Sequence, residues 1–240
     1  PAAAAIVIAC VLGVQALFFG DGGILALGAN IFNMALVGAV GGGATYSFLR
    51  GFMPGLRGGV TAAFFAAWLS TVLASAACAG ELAMSGIVAP GVAMAAMVGI
   101  HALIGIGEGL ITAMVVLAIA RVRPELIDSE LDRERERKAG WELLGLGLVI
   151  AVGLAVFVSP YACSWPDGLD AVAQKLGFEN RVRTLLNFWM PDYKMPGIRS
   201  EVIATAVAGL LGTLAMFGVA WGVGRVLVRG KAPRDDGKCQ

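Results

Sequence analysis

The sequence has little charge and almost no histidine. Of its 240 residues, 15% are Asp, Glu, Lys or Arg, and one is His. A soluble domain carries about 25% charged residues. No G-x-x-x-x-G-K-[ST] occurs, so no loop here cradles nucleotide phosphates with a lysine and a hydroxyl on magnesium. "GDGGILALG" is glycine-rich but lacks both groups. H-E-x-x-H and G-x-S-x-G are also missing, which excludes the familiar zinc-peptidase and serine-hydrolase constellations. Any driven work therefore calls for energy from another subunit. The net charge of +1 gives no reason to expect nucleic acid as a partner. Cys10, Cys78, Cys163 and Cys239 are too scattered for a zinc knuckle or a redox pair. Cys10 and Cys78 lie in apolar runs and read as small apolar residues, so no disulfide framework is expected. The opening "PAAAAIVIACVLG" has no Met and no basic region before its apolar run, unlike a signal peptide. It reads as a truncated chain that enters the membrane in mid-protein.

What remains is apolar: 58% of residues are hydrophobic, and the mean hydropathy is +0.80. Charges cluster in blocks, and between them run apolar stretches of eighteen residues or more. Such stretches cross about 30 Å of hydrocarbon as helices. A soluble all-helical protein would need polar faces on its helices, and most of these stretches show none. The fold class expected is all-α, a polytopic transmembrane bundle with spans near 2–19, 24–49, 59–84, 90–120, 142–159 and 201–228, plus a small extracytoplasmic loop element. Lipid cannot satisfy open backbone groups, which makes helices the default. The second and fourth spans are long and glycine-rich, so tilt or a bend is expected there.

Lys and Arg set the orientation. Arg50 and Arg57, the run Arg121 to Lys138, and Arg229 to Lys238 fall on one side, which reads as cytoplasmic and takes the C-terminus with it. The loops at 20–23 and 85–89 carry neither residue. The loop 160–200 breaks the pattern with Lys175, Arg181, Arg183, Lys194 and Arg199, but acidic residues offset them. "RVRPELIDSELDRERERKAGW" separates a four-span part from a two-span part and reads as a polar linker. No internal repeat relates the two parts, which speaks against an inverted-repeat transporter.

The candidate functional groups are those that are expensive in lipid. Asp21, Glu81, His101 and Glu108 lie in or at the ends of apolar spans, where an ionisable group costs roughly 2.5–3.5 kcal/mol on insertion scales. His101 and Glu108 are seven residues apart on one helix face, about 10 Å along the axis. They cannot touch, but they can line one seam, as a polar track or as bonds to neighbouring helices. Asn30 and Asn33 share a face and can bridge to the next helix. Small residues such as Gly38, Gly41, Gly42, Gly105 and Gly109 permit close helix approach. In the loop, "WPDGLDAVAQKLGF" reads as a turn into a short amphipathic helix capped by Asp167. Trp165, Phe188, Trp189 and Tyr193 suit the headgroup region.

"LFFGDGGILALGANIFNMALVG", "GIHALIGIGEGLITAMV" and "RVRPEL" resemble the CbiM/NikM family, the substrate-capturing membrane components of cobalt and nickel uptake systems of the energy-coupling factor type. "SPYACSWPDGLDAVAQKLGFE", "PDYKMPGI" and "VAGLLGTLAMFGVAWGVGR" resemble the CbiN-like PDGLE domain. The loop motif is Pro166, Asp167, Gly168, Leu169 and Asp170, the last standing where the family name has Glu. The resemblance implies a CbiM/NikM-like domain over 1–126, a charged cytoplasmic linker over 127–140, a PDGLE-like domain over 141–230 and a tail over 231–240. It also implies capture of Co²⁺ or Ni²⁺ on the outer side of a cell membrane, with no permanent cofactor. The implied partners, besides membrane lipid, are a transmembrane coupling subunit and two ATPases. In that family the metal is held by a Met-His start and a further His in a Gly-rich segment, all upstream of Pro1. No metal ligand is therefore assigned in this chain, and Asp21, Asn30, Asn33, His101 and Glu108 are expected to form a polar intramembrane scaffold. Two other readings stand beside transport. One is an accessory membrane protein without its own metal site. The other is an intramembrane enzyme using Glu108, His101 and Asp21, disfavoured because no nucleophile motif accompanies them.

Overall fold

The computed structural model describes residues 1–122, 144–161, 165–179 and 188–229. Cys163, Cys239, Arg181, Arg183, the basic residues of the linker 127–140 and those of the tail 231–240 lie outside the described residues. Among the described residues, six helices are long and apolar enough to cross a membrane. α1 (Ala2–Val14) continues through a π-helical turn to Phe19. α2 (Gly23–Asn30), a π-helical segment (Ile31–Gly38) and α3 (Ala39–Phe52) together make the second span. α4 (Gly55–Met84) and α5 (Pro90–Val122) are the third and fourth. α6 (Leu144–Tyr161) and α8 (Glu201–Arg229) are the fifth and sixth, and between them lies the short α7 (Gly168–Leu176).

The expected spans and the all-α class hold. The second span is bent in register instead of uniform, since eight of its residues are wound as π-helix. Such segments re-aim side chains, and this one turns Asn33 inward, 3% exposed. At most 28% of any span is buried within the chain. Leu103, Val149 and Phe157 are about three-quarters exposed. Water would not tolerate so much continuous apolar surface, whereas lipid requires it. This is a multi-pass membrane protein.

Close backbone approach and polar bonds hold the helices together. α4 and α5 are the most extensively packed pair. A side chain at Gly109 would meet Phe64 at 2.9 Å, and one at Gly105 would meet Trp68 at 3.1 Å. The Trp68 indole donates to the Ala102 carbonyl at 3.0 Å across that seam. Ser70 donates to the Gly38 carbonyl at 3.0 Å, tying α4 to the π-helical segment. Arg50 donates to the carbonyls of Met53 and Gly55 and so closes the turn between α3 and α4.

Candidate functional site

Asp21 and the loop motif lie at the end of the bundle that carries the loop between α6 and α8. At 20–23 the chain reverses through Gly20, Gly22 and Gly23, all with positive φ, and Asp21 sits exposed at the tip. Its carboxylate accepts from Gln15 Nε2 at 3.2 Å and from the Tyr193 hydroxyl at 2.5 Å. Gln15 also donates to the Tyr193 oxygen at 3.0 Å. The Tyr193 ring stacks on Phe19, with centroids 4.4 Å apart. Burial and the bond to Asp21 hold the phenol well above its usual pKa of 10.0. Among the described residues, Asp192 and Tyr193 are the two non-glycine residues with positive φ, an uncommon conformation for bulky side chains. The latch formed with Asp21 and Phe19 holds Tyr193 in it.

Two of the aromatic residues expected in the headgroup region are turned inward instead. Tyr193 belongs to the latch, and Phe188 packs on Gly20, where a Cβ would lie 2.5 Å from its ring. Trp165 and Trp189 are outward, at 84% and 76% exposure.

α7 positions the loop motif. Asp167 is its N-cap and accepts from the Asp170 amide at 2.7 Å, and Gly177 closes the helix with φ +74°. The apolar face of α7 docks on the α4–α5 hairpin. Val172 is fully buried against Ala79, Ala93 and Met97, with Leu169, Leu176 and Cys78 packed around them. Gly168 lies against His101, where a Cβ would be 2.6 Å from the imidazole. His101 Nδ1 is 2.8 Å from the Met97 carbonyl. Asp170 is held above its usual carboxylate range, first by partial burial, then by the negative charges of Asp167 and Asp21.

The other singled-out groups separate. Asn33 donates from Nδ2 to Glu81 on α4 at 2.9 Å, while its buried Oδ1 has no partner. Asn30 shows no such bridge among the described residues; its amide folds back over Gly22. Glu108 lies exposed near the middle of α5 and accepts a hydrogen bond from the Thr71 hydroxyl. His101, Glu108 and Asp21 therefore have three separate sets of partners and share none. Among the described residues, no three His, Cys, Asp or Glu side chains are grouped so as to hold a metal ion. Gln15 and Thr71 were missed by the sequence reading. Each is a polar residue inside an apolar run, and that signal could have marked them.

Comparison with known proteins gives the chain's family. The family model for CbiM, the cobalt uptake substrate-specific transmembrane region, matches residues 1–126. The model for the PDGLE domain matches residues 141–229. A protein of Archaeoglobus fulgidus named as a fused nickel transport protein NikMN is 34% identical over 233 residues, covering 94% of this chain and 72% of its own length. The fused nickel transport protein NikMN of Rhodobacter capsulatus is 30% identical over 266 residues, 95% of this chain and 76% of the relative. Cobalt transport protein CbiM 1 of Pelobacter propionicus is 35% identical over 139 residues, 54% of this chain and 59% of the relative. No solved structure matches the chain. The helices up to Val122 and the docked loop helix that follows them thus belong to two matched modules in one polypeptide, and the chain is a member of the CbiM family of cobalt-uptake membrane proteins in the form fused to a PDGLE domain.

Proposed function

We propose that this chain is the membrane component of an ATP-driven cobalt or nickel uptake transporter of the energy-coupling factor type, and that it receives the divalent ion at the end carrying the loop between α6 and α8. The observation that carries this reading is the docking of α7 from the PDGLE part onto α4 and α5 of the CbiM part, through Val172 and the Gly168–His101 contact. It brings Asp167 and Asp170 to the same end as Asp21. Negative charge at that end attracts divalent cations without forming a ligand set. The names of the relatives, nickel transport for two and cobalt transport for a third, support the cargo.

Transport across the membrane needs an energy source, and the sequence holds no phosphate-binding loop. ATPases and a transmembrane coupling subunit are therefore proposed as separate chains. Glu108 supports such a neighbour. It is an exposed carboxylate at mid-span, bonded within the chain to one hydroxyl, where an uncompensated charge costs roughly 2.5–3.5 kcal/mol. A polar group on a partner helix would offset that cost.

The test is cellular uptake of cobalt and nickel by the chain co-expressed with candidate coupling and ATPase subunits. ATP-dependent accumulation is expected with the intact chain, together with loss when residues 165–179 are replaced by a flexible linker. Accumulation that persists without any ATPase would overturn the reading. The 240 residues by themselves should show no tight nickel or cobalt site on titration. Tight stoichiometric binding would overturn the proposal that the metal ligands lie upstream of Pro1.

A further inference from the structure

We propose that the cleft between α1, α6 and α8 is a binding site for a phospholipid with an ammonium-bearing headgroup. This rests on the membrane fold and not on the transport reading. The cleft has a volume of about 970 Å³, at the upper end of the roughly 300–1,000 Å³ typical of small-molecule sites. Its polarity is divided along its length. The mouth, at the loop end, carries Gln15, Ser159, Asp192, Tyr193, Lys194 and Glu201. Below the mouth the walls are mostly apolar, formed by residues such as Val11, Leu148, Ala151, Met216 and Phe217. Thr205 and Thr213 interrupt this wall, and the Thr213 hydroxyl donates to the Gly209 carbonyl at 2.8 Å.

Of the three walls, α1 is the shortest. α1 lines the cleft from Val11 to Phe19, about 12 Å at 1.5 Å per residue. Half of the hydrocarbon core is about 15 Å. α6 and α8 continue as walls, the latter to Ala220, so the cleft has three sides over the leaflet next to the loop and two beyond it. It is closed at two points by glycine contacts. A Cβ at Gly212 would lie 2.5 Å from Phe19, and one at Gly209 would lie 2.8 Å from the Ala155 carbonyl.

The charges at the mouth favour one occupant over others. Lys194 pairs with Glu201 at 2.8 Å, and Asp192 is also at the mouth. A headgroup with a phosphate and an ammonium answers both signs: the phosphate meets Lys194, and the ammonium meets Glu201 and Asp192. An anionic headgroup without the ammonium would face two carboxylates against one lysine. A wholly apolar partner helix in the cleft would leave this mixed-charge mouth unused. The bound lipid would join the CbiM part, through α1, to the PDGLE part, through α6 and α8, directly beneath the Tyr193–Asp21 latch.

The test uses the full chain purified in mild detergent and measured by native mass spectrometry after exposure to phosphatidylethanolamine or phosphatidylglycerol. About one phosphatidylethanolamine per chain is expected, retained several-fold more than phosphatidylglycerol. Lys194→Glu at the mouth and Ala151→Trp in the wall should each lower retention roughly tenfold, while Leu103→Trp on an outward face should not. A photoactivatable phosphatidylethanolamine on the unmodified chain should label peptides of α6 and α8 above those of other outward faces. Headgroup-blind retention, retention unchanged in Ala151→Trp, uniform labelling of all spans, or a dimer abolished by Ala151→Trp would each overturn the proposal.

Discussion

Polar bonds between helices do part of the work of a hydrophobic drive that lipid cannot supply. Asn33 and Glu81 are 48 residues apart in sequence and 2.9 Å apart in space. Interhelical bonds in membranes are worth about 0.6 kcal/mol on average and up to about 1.7. A double-mutant cycle of Asn33→Ala and Glu81→Ala, read by unfolding in detergent, should give a coupling within that range. A coupling near zero would mean that the pair is incidental. Tyr193 permits a pH prediction with a definite sign. Its phenol is held above the usual 10.0, so the folded state favours the protonated form. Ionisation of the phenol should leave the latch untouched below pH 10 and weaken it as pH rises beyond, because the unfolded chain ionises first. Spectroscopic titration should show one tyrosine ionising late, and Tyr193→Phe should remove that late step.

At the scale of elements, α7 is short and depends on its ends. Isolated helices of nine residues are marginal, so the Asp167 cap and the burial of Val172 must hold it. Asp167→Ala should cost about 0.5–2 kcal/mol, seen as faster proteolysis of the loop with the spans intact. Gly168→Val should have a larger effect on docking than on the helix itself, because the new side chain would have to occupy the place of the His101 ring. A disulfide trap between α5 and α7 that forms equally well in Gly168→Val would refute that contact. The α4–α5 seam should be less forgiving still. Gly109→Leu would drive a branched side chain into Phe64 and the backbone behind it, and overpacking of this kind typically costs about 1–3 kcal/mol.

At the scale of the whole molecule, the two modules touch at two separate places among the described residues. One is α7 on α4 and α5; the other is α8 and the Tyr193 latch on α1. Both lie at the loop end. At the other end Arg225 stacks on Trp221, 4.0 Å from the ring centroid, a pairing suited to a helix leaving the hydrocarbon. If a partner subunit meets Glu108, then Glu108→Leu should keep the chain stable in detergent yet lower its recovery with the coupling subunit. Unchanged recovery would remove Glu108 from that interface.

The number, limits and helical nature of the spans were legible from sequence, because lipid leaves a long apolar run no alternative to satisfying its own backbone. The cap at Asp167 was legible too, being local in sequence and in space. Asn33 and Asn30 show the limit. They looked equivalent, three residues apart on one face, yet one bridges to Glu81 and the other folds over Gly22, because the π-helical segment changes the register between them. Tyr193 likewise read as a headgroup aromatic; a partner 172 residues away made it a latch. Composition and hydropathy decide which segments enter the membrane. Which polar side chains meet there is a matter of packing between helices far apart in sequence, and only the tertiary structure decided it.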